Sequence, residues 1–418
     1  LADRTQTVDE EQAEASTGHG AQGDRFGRRR GEIIAAAIPV LNRQGFKGMR
    51  LTAVAERIGL RATGVTYYFA RKEELAVACI ESGMAIFHDL LSIAEKERTA
   101  AARVSALVSA FVERDAAVRR GEATPLASFG SIRSLDDPHF ARIAEGYKAM
   151  FRRARALFET PELSRLDKVA RSIRAQIMLE QLYWSSAFLE DYEAEDFRRV
   201  AARMQDFMIN GLAAPGQGFD PRSMRLTFGG EAGDGTKESF LMAAIRQINA
   251  HGYRGASVDR ISASLNVTKG AFYHHNDAKD DLVATGFRRS FAVVRDAFEK
   301  AKGESASEWD RLTTATTALI RFQLSPDGPL MRTSVLASMP HEHQVEILNL
   351  SSKINRRVAG MISDAVAEGS ARPVDAVIAS QLLSASINAA SDLRFWRNGG
   401  QNSDPLDYAA PIFSGLVK

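Results

Sequence analysis

The sequence predicts an all-α fold built twice over. Two observations carry this. Apolar residues recur at steps of three and four, as in Phe197, Val200, Ala201, Met204, Phe207 and Met208, and no segment sustains the period-two alternation of strands. A stretch of the first half also returns, without gaps, 207 residues later. Gly45-Phe46-Lys47-Gly48-Met49-Arg50-Leu51 is answered by Gly252-Tyr253-Arg254-Gly255-Ala256-Ser257-Val258. Upstream, Ile33, Ile34, Ala37, Ile38 and Leu41 meet Phe240, Leu241, Ala244, Ile245 and Ile248. Downstream, Val65 meets Phe272, Lys72 meets Lys279 and Leu75 meets Leu282. Since 207 is about half of 418, the chain reads as one duplicated unit.

Composition sets the outer bounds. With 45% hydrophobic and 25% charged residues, the chain can bury sizeable cores, and disorder throughout is excluded. No uninterrupted apolar run approaches the roughly 18–20 residues of a membrane span, so no membrane partner is expected. The polar first 25 residues hold no apolar signal-peptide core. A lone Cys79 makes neither an internal disulfide nor a cysteine zinc site, and a reducing cytoplasm is the simplest compartment. The formal net charge is +2, so an anionic partner must be met by a local patch.

Each repeat opens on one plan. An amphipathic helix is predicted over about 28–44 and again over 236–251. After a Gly-aromatic turn comes a short helix, Leu51 to Ile58 and Val258 to Leu265. A tight turn at Gly59, or at Asn266, leads to a third helix over about 61–67 and 268–274. Gly and Asn most easily take positive φ, and two helices at such a corner make a helix-turn-helix. Ser257 is placed to cap its helix, with Asp259 in the first turn. The domains expected are a disordered tail (1–25), a first helix-turn-helix unit (26–75), a helical body (76–212), a linker (213–235), a second unit (236–282) and a second body (283–418). Within the linker, Met224 to Phe228 can dock as an extended piece.

These residues carry a resemblance to the TetR family of bacterial transcriptional regulators. The second unit shows it best, in Gly252 to Val258, Ile261, Val267-Thr268-Lys269-Gly270-Ala271-Phe272-Tyr273-His274-His275, Lys279 and Leu282. The first shows Gly45-Phe46, Leu51, Val54-Ala55, Ile58-Gly59-Leu60, Val65, Tyr67-Tyr68-Phe69 and Lys72 to Leu75. The resemblance implies a double-stranded DNA operator as partner. A recognition helix enters the major groove with its N-terminal residues at base edges. Arg61, Ala62 and Thr63 hold those places in the first unit, and Thr268, Lys269 and Gly270 in the second. Arg and Lys can donate to guanine, while Thr offers a hydroxyl or a methyl. The resemblance also implies phosphate contacts by Tyr273, with His274 beside it, by Lys279 and by Lys72. Ser257, Thr66 and Tyr67 complete the candidate DNA-binding residues.

The first unit departs from this pattern. Thr66 stands where the family's phosphate-binding Tyr is usual, Met49-Arg50 replaces a polar cap, and Pro39 falls inside the first helix, where it removes a backbone bond. Charge argues the other way. Residues 27–75 hold ten basic against four acidic residues, whereas 236–282 hold six against five. Arg28, Arg29 and Arg30 precede the first helix, where an arm would reach phosphates or a minor groove. The tail 1–24 is acidic, with one basic residue against six acidic ones.

The resemblance further implies that each body holds a small-molecule effector and pairs through its last two helices. Those helices are expected at about 167–190 with 195–212, and 374–397 with 404–417. About 23 extended linker residues span up to roughly 75–80 Å, so the two halves can pair within one chain as a pseudo-dimer. A homodimer of chains is the other assembly. Candidate effector residues are Phe129, Tyr147, Met150, Phe151, Tyr183 and Trp184 in the first body, and Trp309, Phe322, Met331, Met339, Phe395 and Trp396 in the second. Their chemistry suggests a hydrophobic or aromatic effector.

The function predicted is thus a TetR-type regulator, a repressor, whose two unlike units read an asymmetric operator. In the alternative, only the second unit binds DNA and the first is a dimerisation scaffold. Catalysis, cofactors and metals are not expected. Gly18 to Gly23 matches G-x-G-x-x-G, but no strand precedes it and no βαβ pattern follows. His341-Glu342-His343 lacks a third ligand, and i,i+2 residues diverge on a helix.

Overall fold

The computed structural model describes residues 6–127, 129, 135–226, 235–253, 255–270, 272, 279–304, 306–339, 341–392 and 404–418. Among these the regular structure is helical, and one isolated bridge joins Ala213 to Ala371. The first half comprises α1 (Gln6–Gly48), α2 (Leu51–Arg57), α3 (Ala62–Thr66), α4 (Lys72–Ala94), α5 (Ala100–Arg119), α6 (His139–Ala156), α7 (Lys168–Phe188) and α8 (Phe197–Asn210). The second comprises α9 (Gly235–His251), α10 (Val258–Ser264), α11 (Lys279–Glu304), α12 (Glu308–Leu324), α13 (His341–Ala367), α14 (Ala376–Ala389) and α15 (Pro405–Ser414).

Helix α1 reaches back through most of the segment expected to be unstructured. Glu10, Glu11, Gln12, Ala13, Glu14 and Ala15 are strong helix formers, and no proline interrupts them. The helix also runs through Pro39, and its backbone leaves helical geometry at Gly45 instead (φ 62, ψ 170).

The repeat extends beyond the helix-turn-helix. Thr99 caps α5 by accepting from Ala102 N, and Ser307 caps α12 by accepting from Asp310 N. Asp167 caps α7 and Asp375 caps α14 in the same way. Such caps satisfy backbone donors that would otherwise be orphaned at a helix start. The corner between α2 and α3 turns at Gly59 (φ 64), and the corresponding corner after α10 turns at Asn266 (φ 56). The sequence places both corners correctly because positive φ is a local demand.

The long helix α4 joins the first helix-turn-helix to its body and packs against α1, α5 and α6. Among the described residues it is the one helix long and apolar enough to cross a membrane, but Leu75, Cys79, Ile80, Phe87 and Leu91 on it are fully buried in the core. Helix α11 does the same work in the second half, against α9, α12 and α13.

The two halves pack on each other through their last helices. Helix α7 lies against α14 and α15, and α8 against α14, within one apolar core that holds residues of both bodies. Polar contacts set the register. Gln181 Nε2 donates to Ser386 Oγ (2.9 Å) and Trp184 Nε1 to Gln381 Oε1 (3.1 Å). Arg372 pairs with Asp206 at 2.9 Å and donates to Gly211 O. The chain crosses itself where α8 and α15 end. Leu212 N donates to Phe413 O and Leu416 N to Met208 O, each at 2.8 Å. Gly211 (φ 66) and Gly415 (φ 99) make this approach possible, because a Cβ on either would lie within 2.2 Å of a backbone oxygen of the other half.

The described part of the linker is held against the second body. Met224 and Leu226 are buried, as an extended docking piece requires. Phe219 stacks on Phe413 at 5.5 Å, Trp309 Nε1 donates to Gly218 O, and Arg222 N donates to Thr314 Oγ1. Thr227 and Phe228 lie outside the described residues.

Candidate nucleic-acid interface and effector site

In the first unit, α3 begins at Arg61, whose extended backbone (φ −78, ψ 154) precedes the helix. Arg61 and Thr63 are exposed and Ala62 is half-buried. Val65 and Phe69 are buried and anchor the helix from below. Thr66 is exposed, but its hydroxyl donates to Thr63 O at 3.0 Å, within its own helix. Tyr67 is 75% exposed, unusual for so large a ring. It meets Phe26 and Tyr68 edge-on, with ring centres 6.1 and 5.1 Å away. Of the predicted arginines, Arg28 and Arg30 are exposed and Arg29 is half-buried. Arg29 pairs with Glu32, and Arg30 lies over the Phe69 ring at 4.9 Å.

The second unit repeats the plan with different side chains. Ser257 Oγ accepts from Arg260 N (3.2 Å), the cap expected of it, whereas Arg50 gives α2 no side-chain cap. Thr268, Lys269 and Gly270 are exposed at the start of the third helix. Lys269 Nζ lies 3.2 Å from Asp259 in an exposed pair. Phe272 is buried edge-on against Phe240, at 5.7 Å between ring centres. Tyr273 and His274 lie outside the described residues.

One feature is common to both units. Lys72 Nζ donates to Lys47 O (3.3 Å) and sits 5.0 Å from the centre of the Phe46 ring. Lys279 Nζ donates to Tyr253 O (2.7 Å) and sits 4.2 Å from the centre of the Tyr253 ring. Each lysine opens the helix that leads into its body, and each is held by the aromatic residue of the preceding Gly-aromatic turn. A cation over an aromatic face is attracted by the ring quadrupole. The sequence pairs Lys72 with Lys279 but does not reveal the ring beneath each, which is a tertiary contact.

The candidate effector residues of the first body come together in part. Phe129, Tyr147 and Tyr183 form an aromatic cluster, with centres 5.8 Å apart for Phe129 and Tyr147 and 5.4 Å for Phe129 and Tyr183. Phe87 and Phe111, which the sequence does not single out, complete it. Phe87 lies 5.1 Å from Tyr183 and 5.8 Å from Phe111. They read as ordinary core positions on α4 and α5, and only the fold gathers them. The Tyr183 hydroxyl is buried without a hydrogen-bond partner among the described residues, and burial pushes its phenol well above the ordinary range. Met150 and Phe151 are buried on α6, while Trp184 faces the other half through Gln381.

The second set is scattered. Trp309 packs on Phe413 under the linker. Phe322 lies in the same large core, beneath the Arg289 guanidinium. Met331 and Met339 belong to a separate core that supports the second helix-turn-helix. Phe395 and Trp396 lie outside the described residues. At the position that the caps align with Tyr183 stands Ser391, bonded to Asn388 O and Arg332. Of His341-Glu342-His343, His343 faces Asp281 at 3.9 Å, and the side chains of His341 and Glu342 lie outside the described residues.

The fold and these surfaces define a chain with two helix-turn-helix units, each carried on a helical body. Comparison with known proteins gives the family. The model for bacterial regulatory proteins of the tetR family matches residues 33–79 and again 240–285. The TetC protein of transposon Tn10 from Escherichia coli is 24% identical over 148 residues, which is 35% of this chain and 74% of that protein. Among solved structures, the TetR family regulator PfmR from Thermus thermophilus is 22% identical, covering 43% of this chain and 99% of its own, with a TM-score of 0.36. AibR, solved with isovaleryl coenzyme A and operator DNA, is 20% identical, covering 43% of this chain and 98% of its own, with a TM-score of 0.36. The chain is a tandem TetR-like transcriptional regulator, carrying the family's DNA-binding domain twice.

Proposed function

We propose that this chain is a repressor that binds one asymmetric operator as a pseudo-dimer of its own halves. The observation that carries the reading is the packing of α7 and α8 on α14 and α15, which occupies each half's pairing surface with the other half of the same chain. Two recognition helices then share one molecule, and they differ. Arg61, Ala62 and Thr63 present one set of donors, and Thr268, Lys269 and Gly270 another, so their half-sites should differ in sequence. Lys72 and Lys279, held alike on aromatic rings, would meet phosphates and set the register of each unit. Tyr67, Tyr273 and His274 would add contacts beside them.

A small hydrophobic or aromatic effector would relieve repression by favouring one spacing of the two units. The aromatic cluster of the first body supports a site there, and the Tyr183 hydroxyl would donate to a polar atom of the effector. Among the described residues, the scatter of Trp309, Phe322, Met331 and Met339 supports no equal site in the second body.

Gel shifts with the full chain test the DNA reading. Arg61→Ala with Lys72→Ala should weaken specific binding at least tenfold if both units read DNA. Unchanged binding by that variant, with loss in Lys269→Ala and Lys279→Ala, would assign DNA to the second unit alone and leave the first as scaffold.

A further inference from the structure

The middle of α1, around Phe26, is fastened to the recognition corner of the first unit. Phe26 and Arg30 lie four residues apart and therefore share one face of the helix. The Phe26 ring lies 4.7 Å from Tyr68 and 6.1 Å from Tyr67, and the Arg30 guanidinium lies 4.9 Å over Phe69. Residues 67–69 form the turn that leaves α3, in which Tyr67 is exposed, as is the nearby Arg71. With one face of α1 held there, Arg25 and Arg28 remain on its exposed side. The sequence of the second unit does not repeat these side chains. At the same offset stand Ala232, Gly233 and Gly235 for Arg25, Phe26 and Arg28, and His274 and His275 for Tyr67 and Tyr68.

We propose that the turns of α1 around Phe26 are an additional DNA-backbone contact belonging to the first unit alone, with Arg25 and Arg28 meeting phosphates at the outer edge of its half-site. This rests on the DNA-binding reading of that unit. The contact is with phosphates and not with minor-groove base edges. A helix with its side chains is about 10–12 Å across, and the minor groove of B-DNA is about 6 Å wide. Phe26 is a positioning residue, and the arginines carry the charge. The contact is independent of sequence, so it adds affinity and salt dependence without adding specificity.

The test uses the full chain and a duplex that the unaltered protein selects from a random pool. Arg25→Gln with Arg28→Gln should lower the slope of log affinity against log salt by about 1.8, at about 0.9 for each phosphate no longer neutralised. Hydroxyl-radical protection should shorten at one end of the site only. Phe26→Ala changes no charge, yet should lower the slope too, while Phe26→Tyr should keep it. Melting temperatures of the variants should match the parent. If the double variant keeps slope and footprint while Lys279→Ala lowers the slope, the additional contact is wrong and the DNA reading stands. If Lys279→Ala also changes nothing, or the parent selects no duplex, the DNA reading itself fails and the contact with it.

Discussion

Lys72 and Lys279 have matching surroundings. Each is already oriented by a carbonyl and a ring, so little side-chain freedom remains to be surrendered on meeting a phosphate. Lys279→Ala should weaken binding to all duplexes alike and lower the salt slope by about 0.9 in a gel-shift series. Lys269 behaves differently, because its ammonium is shared with Asp259 and must leave that exposed pair to reach a base. Lys269→Ala should relax preference at one or two base pairs, read by competition between single-base variants of the selected site. Cys79 gives a check on the fold itself. Burial pushes its thiol up to about 12, and its sulfur faces Ile34 O. At pH 8 the thiol is protonated and enclosed. Iodoacetamide should leave it intact in the folded chain and label it in urea. Rapid labelling of the native protein would contradict the packing of α4 on α1.

Among the helices, the crossing of α8 and α15 is the most sensitive place. Gly211→Ala would set a Cβ 2.2 Å from Phe413 O at a backbone angle that L residues avoid. It should cost more than about 1 kcal/mol and lower the melting temperature by several degrees. Ala at Gly121, also at positive φ but with open space around it, is the control that separates backbone strain from the clash. The salt links between the helix leading out of each helix-turn-helix and its body are inverted. Glu81 on α4 takes a bidentate pair from Arg142 on α6, while Arg288 on α11 gives one to Glu346 on α13. Local order is legible in the residues. The second helix, expected at Leu51 to Ile58, is found at Leu51–Arg57, because apolar period and positive-φ corners are properties of short segments. The exposed Arg61 and Thr63 at the start of α3 follow from the same motif. What the residues conceal depends on partners distant in sequence. The aromatic cluster needs Phe87 and Phe111 from different helices, Phe26 needs the Tyr67 turn, and the linker needs Trp309 and Phe413. The segment before residue 25 shows the converse error of reading composition alone, since its Glu and Ala content suits a helix as well as an open tail.

For the whole molecule, the proposed pseudo-dimer would put to use within one chain the pairing surface that the resemblance implies between chains. Light scattering on a sizing column should therefore give the mass of one chain. A stable dimer would mean that the halves leave a further pairing surface open. The charge of +2 also gains a distribution, with a basic first unit set against a second that is close to neutral. Salt should then act unequally on the two half-sites, loosening the first before the second. Everything at this scale turns on one chain reading two different half-sites, and sequencing duplexes selected from a random pool by the purified full chain decides it. One bipartite site should emerge, with unlike halves about one helical turn apart, and replacing Lys269 by Ala should blur only one of them. A palindromic site, or a single half-site with nothing recovered beside it, would overturn the pseudo-dimer.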